Sequence, residues 1–205
     1  MTATIEIGFS DLLQVLGVAF DVPPDGHKAL TSRLKHLQGK GFPPGVNVGK
    51  GGRVRYDLKA VLGTTMVLSL TAAFIPPNQA VEVVRRNWEA WLALIQDGAV
   101  QLAADRVGGQ AVRRGANAPR TVFAVVEANA LAALGGAAPA NGRAAGTRGA
   151  LAFRAAAADE LDGGGPAATF VDVPATLEQI LAPLARAADL AEDDVVAAMA
   201  TISTA

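Results

Sequence analysis

Leucines recur at helical spacing in the first forty residues of the chain. A short helix is predicted over 9–16, with Ser10 as its N-cap and Gly17 as its C-terminal stop. Two prolines and an Asp-Gly pair predict a turn over 21–26, because they do not fit a helix interior. A second helix is predicted over 27–40, since its apolar residues follow the i, i+4, i+7 pattern of a helix with one buried face. These residues are Leu30, Leu34 and Leu37.

A strand-like alternation of apolar and polar residues follows over 46–56. The glycines at its centre predict the tight turn of a β-hairpin. After the hairpin, Asp57 is predicted to cap a third helix that runs to Phe74. The pair Pro76-Pro77 interrupts the pattern, and a fourth helix is predicted to continue to about Gln96.

The second half of the chain mixes strand and helix patterns. A segment rich in glycine and alanine, 135–149, is predicted to be a linker. Three strands are predicted over 120–127, 149–156 and 168–173, and two helices over 176–187 and 189–199. We therefore predict a mainly helical N-terminal domain over 1–98, followed by a small α+β domain over 99–205 that serves dimerisation or partner binding.

The charge of the chain is divided between its two halves. The net charge is only −1, but residues 26–60 contain eight lysines and arginines and a single acid, which gives +7. Residues 155–205 contain nine acids and a single arginine, which gives −8. A basic N-terminal part joined to an acidic C-terminal part is typical of proteins that bind nucleic acid through one region only.

Composition argues against an enzyme and against a metal centre. The chain has no cysteine and two histidines, His27 and His36, whose spacing does not suit a metal site. The glycine loop 49–52 lacks the following helix that a phosphate-binding loop requires. The acidic pairs 159–160 and 193–194 are interpreted as solvated surface charge rather than as a catalytic dyad. We expect no catalytic residues, no cofactor and no metal.

The same composition bears on where the protein is found. Residues 1–6 have neither the basic nor the apolar region of a secretory signal. The longest apolar stretch, 60–74, is too short and too polar to span a membrane. We expect a cytoplasmic, nucleoid-associated protein that does not contact membranes.

The segments from Ile7 to Val18 and from Arg33 to Phe42 are similar to the first and second helices of the MerR-like winged helix-turn-helix family. The resemblance covers residues 5–95. Gly51-Gly52-Arg53-Val54-Arg55-Tyr56 is similar to the wing motif, with two arginines flanking the usual arginine position. Leu58–Phe74 and the segment after Pro76 resemble the helix pair that follows the wing. The resemblance implies a DNA-binding fold and does not extend to the C-terminal half.

This resemblance assigns candidate DNA contacts to two elements. Arg33, Lys35 and His36 on the second helix are the leading contacts to bases or phosphates, and Lys28, Thr31 and Ser32 are candidates for backbone oxygens. The candidate contacts of the wing are Lys50, Gly51, Arg53 and Arg55. The alternative for both elements is an ordinary charged surface that keeps the protein soluble.

Two tryptophans three residues apart, Trp88 and Trp91, are expected to pack in the core or at a homodimer interface. We expect a regulator of transcription that binds specific double-stranded DNA sequences as a homodimer, with RNA polymerase or another protein as a further partner of the acidic region. An architectural or accessory DNA-binding protein and a winged-helix protein–protein adaptor are the alternatives.

Overall fold

Helices dominate the computed structural model of the chain, which describes residues 4–46, 54–107, 123–127, 152–156 and 168–203. The helices are α1 (Phe9–Ala19), α2 (His27–Gly39), α3 (Leu58–Ala72), α4 (Pro77–Arg86), α5 (Trp88–Val107), α6 (Val173–Ala188) and α7 (Glu192–Ala200). The strands are β1 (Glu6–Gly8), β2 (Arg55–Asp57), β3 (Phe123–Glu127), β4 (Ala152–Ala156) and β5 (Ala168–Asp172). No described helix combines the length and apolar character needed to cross a membrane.

The first helix is confirmed and begins at Phe9 as predicted, but its predicted N-cap and its predicted C-terminal end are wrong. The N-cap is Gly8 rather than Ser10, and the backbone N–H of Gly8 donates to the Asp11 carboxylate at 3.0 Å. Gly17 lies inside α1 and is buried. A Cβ atom on Gly17 would lie 3.3 Å from Cε1 of His27, at the start of α2. This glycine therefore allows close approach to α2 and does not end a helix.

The second and third helices are confirmed within one or two residues of their predicted ends. The turn before α2 contains a single 3₁₀ turn, Pro24–Gly26, and the three predicted leucines of α2 are buried. Asp57 caps α3 as predicted, since its carboxylate accepts the backbone N–H of Ala60 at 2.7 Å. The stripe of buried leucines therefore accounts for α2, and the cap by Asp57 accounts for the start of α3.

The predicted hairpin is described only in its second strand. This strand, β2, pairs antiparallel with β1, and Ile7 lies opposite Tyr56. The predicted tip and part of the first strand, 47–53, lie outside the described residues. Residues 6–8 were not predicted as a strand, because three residues are too few to show an alternation.

Helix α3 is buried on most sides. Two threonines, Thr64 and Thr65, lie in the core on this helix. Their hydroxyls donate to the carbonyls of Ala60 and Val61, at 2.7 and 2.9 Å. These bonds within the helix satisfy the hydroxyl protons, so the core can accept polar side chains there.

The predicted fourth helix is two helices, so that prediction is wrong. Helix α4 ends at Arg86, and α5 begins at Trp88. Between them the side-chain amide of Asn87 donates to the carbonyl of Val83 at 2.8 Å. An asparagine that bonds to the backbone in this way competes with helix continuation, and the chain turns there.

The C-terminal half supplies a sheet and two helices. All three predicted strands are confirmed, in an antiparallel sheet of order β4-β3-β5 with Val125 opposite both Arg154 and Phe170. Both predicted helices are confirmed as α6 and α7, although Asp189 ends α6 with φ of 55° and α7 begins only at Glu192. The predicted linker, 135–149, lies outside the described residues.

The predicted domain boundary at residue 98 falls within α5. Helix α6 packs on α1 and α5, and α7 packs on α5. A Cβ atom on Gly98 would lie 3.3 Å from side-chain carbons of Val173 and Leu177, so α6 is in close contact with α5 at this glycine. One buried cluster therefore contains residues from both sides of the predicted boundary.

Candidate nucleic-acid interface

The face of α2 opposite its three buried leucines is exposed and basic. We call it the α2 face; its residues are Lys28, Ala29, Ser32, Arg33, Lys35, His36, Gly39 and Lys40. Successive residues are rotated by about 100° around a helix, so Arg33 lies about 160° from Lys35. Lys28 and Lys35 form one edge of the face, and Arg33 and Lys40 form the other. Ser32 and His36 lie between the two edges.

The cations of the α2 face have no acidic partner in the part of the chain that the structure describes. No ion pair or side-chain hydrogen bond there involves Lys28, Arg33, Lys35 or His36. Thr31 differs, because it is half-buried and its hydroxyl donates to the carbonyl of His27 at 2.8 Å. A hydroxyl has a single proton to donate, so Thr31 is poorly suited to the phosphate contact that the sequence predicts for it.

The inner side of α2 is tied to the two-stranded sheet. The amide of Gln38 donates to the phenol oxygen of Tyr56, and the rings of Tyr56 and Phe9 lie 6.5 Å apart. Tyr56 is 1% exposed. Burial raises the pKa of its phenol, and the bond from Gln38 partly opposes this. Tyr56 therefore stays neutral at physiological pH and fixes α2 relative to β2.

Arg55 is the one predicted wing contact that falls within the described residues. It is exposed on β2, directly opposite Gly8 in the sheet. Because side chains alternate along a strand, Arg55 projects away from the core-facing side occupied by Tyr56. The other predicted wing contacts, Lys50, Gly51 and Arg53, lie outside the described residues.

The two tryptophans occupy different environments. Trp91 is 0% exposed within its own chain, so of the two predicted environments, core and subunit interface, it occupies the core. Trp88 is half-buried and lines a pocket of about 210 Å³, which we call the Trp88 pocket. The other residues that line it are Phe42, Pro43, Pro44, Asp57, Lys59, Ala60, Gly63, Val84 and Arg85.

Two acids near the C-terminal end of the chain form ion pairs within the protein. Arg106 of α5 contacts Glu192 at 2.8 Å and Asp193 at 3.2 Å, at the start of α7. Its hydrogen bond with Glu192 is the main cause that raises the pKa of Arg106. Asp193 is thus paired rather than only solvated, and the predicted pair 159–160 lies outside the described residues. No group of three or more potential metal ligands occurs among the described residues.

Sequence reasoning missed Phe74, which is 96% exposed although it is a large apolar residue. Its φ angle of 66° lies in the left-handed region that favours glycine. In the sequence, Phe74 stands directly before Ile75 and two prolines. This pattern predicts the end of a helix, but it does not predict that the Phe74 side chain is exposed. The Trp88 pocket was missed because Gly63, which leaves room for it, looks like an ordinary helix residue.

Comparison with protein-family models, with curated proteins and with solved structures gave no match to this chain. Its function is therefore argued from the geometry of the described residues.

Proposed function

We propose that this protein binds double-stranded DNA through a winged helix-turn-helix of the MerR-like kind, with α2 in the major groove. The observation that carries the proposal is the α2 face, which has cations along both edges, polar side chains at its centre and no carboxylate paired with its cations among the described residues. Cations concentrated on one helix without acidic partners repel each other, which lowers the stability of the fold. A polyanion removes that repulsion.

The dimensions of α2 suit the major groove. A helix with its side chains is about 10–12 Å across, and the major groove of B-DNA is about 12 Å wide. With the α2 face directed into the groove, Lys28 and Lys35 lie toward one strand and Arg33 and Lys40 toward the other. All four then neutralise phosphates, which sets the position of the helix but carries little sequence information.

The centre of the α2 face is the part that can read bases. Ser32 and His36 present hydroxyl and imidazole groups that hydrogen-bond to base edges, and Ala29 lies beside them. Alanine and serine are short enough to let the helix backbone come close to the groove floor. A regulator of transcription needs such sequence preference, so we infer that Ser32 and His36 provide it.

The two-stranded sheet supports a second contact beside α2. Arg55 lies two residues after segment 47–53 in sequence and is exposed on the strand that Gln38 links to α2 through Tyr56. A cation held at a fixed position relative to the recognition helix is suited to a flanking phosphate. This is the role that a wing has in winged-helix proteins.

The test is a fluorescence anisotropy titration of the full-length chain with duplex DNA at two salt concentrations. The target is first selected from a random duplex library. Lys35→Gln and Arg33→Gln should each weaken binding to selected and unrelated duplexes equally, and each should make the slope of log K against log salt shallower by about 0.9. Ser32→Ala and His36→Ala should instead reduce the preference for the selected duplex by roughly tenfold, since each base contact contributes about 1–3 kcal/mol.

Arg186→Gln is the matched control, because Arg186 is an exposed cation on α6 and does not belong to the α2 face. It should leave binding and its salt dependence within error of the unmodified chain. The proposal would be overturned if the chain failed to bind duplex DNA at physiological salt, or if Arg186→Gln weakened binding as much as Arg33→Gln and Lys35→Gln.

A further inference from the structure

Phe74 projects from the C-terminal end of α3 in a fixed orientation. Its backbone N–H donates to the carbonyl of Thr71, and that of Ile75 donates to the carbonyl of Leu70, both at 3.1 Å. These bonds close the helix in the way that usually requires glycine at the left-handed position. Directly after Phe74, Ile75 is buried and Pro76 restricts the backbone. The aromatic ring is therefore held outward, in water, on a restrained backbone.

The Trp88 pocket lies at the opposite end of the same helix. Its walls come from the aromatic rings of Phe42 and Trp88, two prolines and Val84, and Gly63 leaves space between the two rings. The pocket volume is about 210 Å³. An apolar cavity of about 150 Å³ is enough to hold a benzene molecule, so a phenyl ring fits this pocket.

Phe74 cannot fill the pocket of its own chain. A helix of 15 residues is about 22 Å long, and the two features lie near its two ends. The ring of Phe74 and the Trp88 pocket can therefore meet only between two molecules.

The charges at the two ends of α3 are complementary. The last turn of α3 has no basic side chain, so the negative end of the helix dipole is not compensated there. The lining of the Trp88 pocket contains two cations, Lys59 in the first turn of α3 and Arg85, whose guanidinium contacts Glu82 at 3.5 Å and the carbonyl of Lys40 at 3.4 Å. It also contains the carboxylate of Asp57, which accepts the backbone N–H of Ala60, so the lining carries one more cation than acid. A cation in the lining also attracts the face of an aromatic ring.

We propose that copies of this chain associate head to tail, with Phe74 of one copy inserted into the Trp88 pocket of the next. Each copy then uses two different surfaces, one at each end of α3. Such a contact continues from copy to copy unless the rotation between neighbours closes a ring. It involves neither the α2 face nor DNA, so its test is independent of the function proposed above.

The first experiment measures self-association of the full-length chain without DNA by sedimentation velocity, at concentrations up to the millimolar range. The sedimentation coefficient should rise with concentration, and Phe74→Ser should reduce the association constant by at least roughly tenfold, since the ring is the apolar group that enters the pocket. Val18→Ser is the matched control, because Val18 is 59% exposed on α1 and has no place in the proposed contact. It should associate as the unmodified chain does.

A variant on the pocket side separates association from folding. Gly63→Ala adds a methyl group that lies 3.4 Å from the ring of Phe42 and 3.5 Å from that of Trp88, at ordinary contact distance. It narrows the pocket between the two rings and favours the helix, because alanine is the better helix former. We expect weaker association together with a midpoint of thermal unfolding that is not lowered.

The second experiment identifies the contact itself by disulfide formation. The chain has no cysteine, so single substitutions define the pair without interference. A mixture of Phe74→Cys and Pro44→Cys chains should form a mixed disulfide, and a mixture of Val18→Cys and Pro44→Cys chains should not. A chain that stays monomeric throughout, a cross-link that forms only between two Phe74→Cys chains, or equal cross-linking in the control would each overturn the proposal.

Discussion

Helices α2 and α7 both concentrate charge of one sign, but their charged side chains differ in the partners that they contact. The acids at the start of α7 meet Arg106 of α5 in two ion pairs. The cations of the α2 face meet no carboxylate among the described residues. The charge of α7 therefore contributes partly to the packing of the chain itself, and the charge of α2 is available to a partner.

The two helices also differ in how they are attached. Helix α2 is held by one stripe of leucines and by the bond from Gln38 to Tyr56. Helices α6 and α7 contribute many side chains to the shared core and pack on α1 and α5. The acidic region is thus a structural part of the same folding unit that presents the α2 face.

The largest expected effect tests this shared core. Leu177→Ala should lower the free energy of unfolding by about 3 kcal/mol, because Leu177 is fully buried where α6 meets Gly98 of α5. Trp88 and Trp91 both lie on α5, whereas Leu177 lies on α6. Tryptophan fluorescence therefore measures the unfolding of α5, and not only of the helix that carries the substitution. In urea, fluorescence and far-UV circular dichroism should give the same lowered midpoint.

The exposed neighbour provides the control for this prediction. Glu178→Ala should change the free energy of unfolding by less than about 0.5 kcal/mol. If Leu177→Ala left the urea midpoint of the tryptophan fluorescence transition unchanged, α6 would unfold separately from α5.

The second prediction compares cations of the α2 face with cations elsewhere on the chain in DNA binding. Lys28→Gln combined with Lys35→Gln should weaken binding roughly 30-fold and make the salt slope shallower by about 1.8, because two phosphate contacts are lost. Arg106→Gln combined with Arg186→Gln changes the net charge equally but leaves the α2 face intact. Anisotropy titrations should show less than about a threefold effect for this second pair. Equal losses for both pairs would mean that only the total charge matters.

The sequence predicted best where one local interaction decides the structure. Three leucines of α2 are spaced for one buried face, and Asp57 is placed to cap α3, so both elements could be read from short windows. The division of the α2 face into two edges and a centre also follows from helix geometry alone. By contrast, the strand β1 is recognised only through its pairing with β2.

Two predictions that differ from the structure fall at glycines. Gly17 was predicted to end a helix, because glycine usually interrupts helices, and the first domain was predicted to end at Gly98. In the structure both are helical and lie where a second helix comes within contact distance of the backbone, as His27 and Leu177 show. A single sequence cannot separate these two uses, since the partner that requires the glycine is distant along the chain.

The contrast between side chains with and without partners extends to Phe74. Phe74→Gly should raise the free energy of unfolding by about 1 kcal/mol, because glycine adopts the left-handed conformation without a steric penalty and no intramolecular packing is lost. Phe74→Ala keeps a Cβ atom and should show little of this gain. Urea titrations at low chain concentration measure both, and equal stability of the two variants would exclude backbone strain at this position.

The smallest expected effect compares the contribution to stability of a cation with acidic partners and of a cation without a described acidic partner. Arg106→Gln should lower the free energy of unfolding by about 0.5 kcal/mol, since the ion pairs with Glu192 and Asp193 are partly exposed and screened by solvent. Arg33→Gln removes a cation without a described acidic partner and should leave stability unchanged or slightly increased. About 1 M salt should remove the difference between the two variants, because the Debye length then falls to about 3 Å. If Arg33→Gln destabilised the chain as much as Arg106→Gln, the α2 face would have a structural role. Its cations could then no longer be interpreted as available to a binding partner such as DNA.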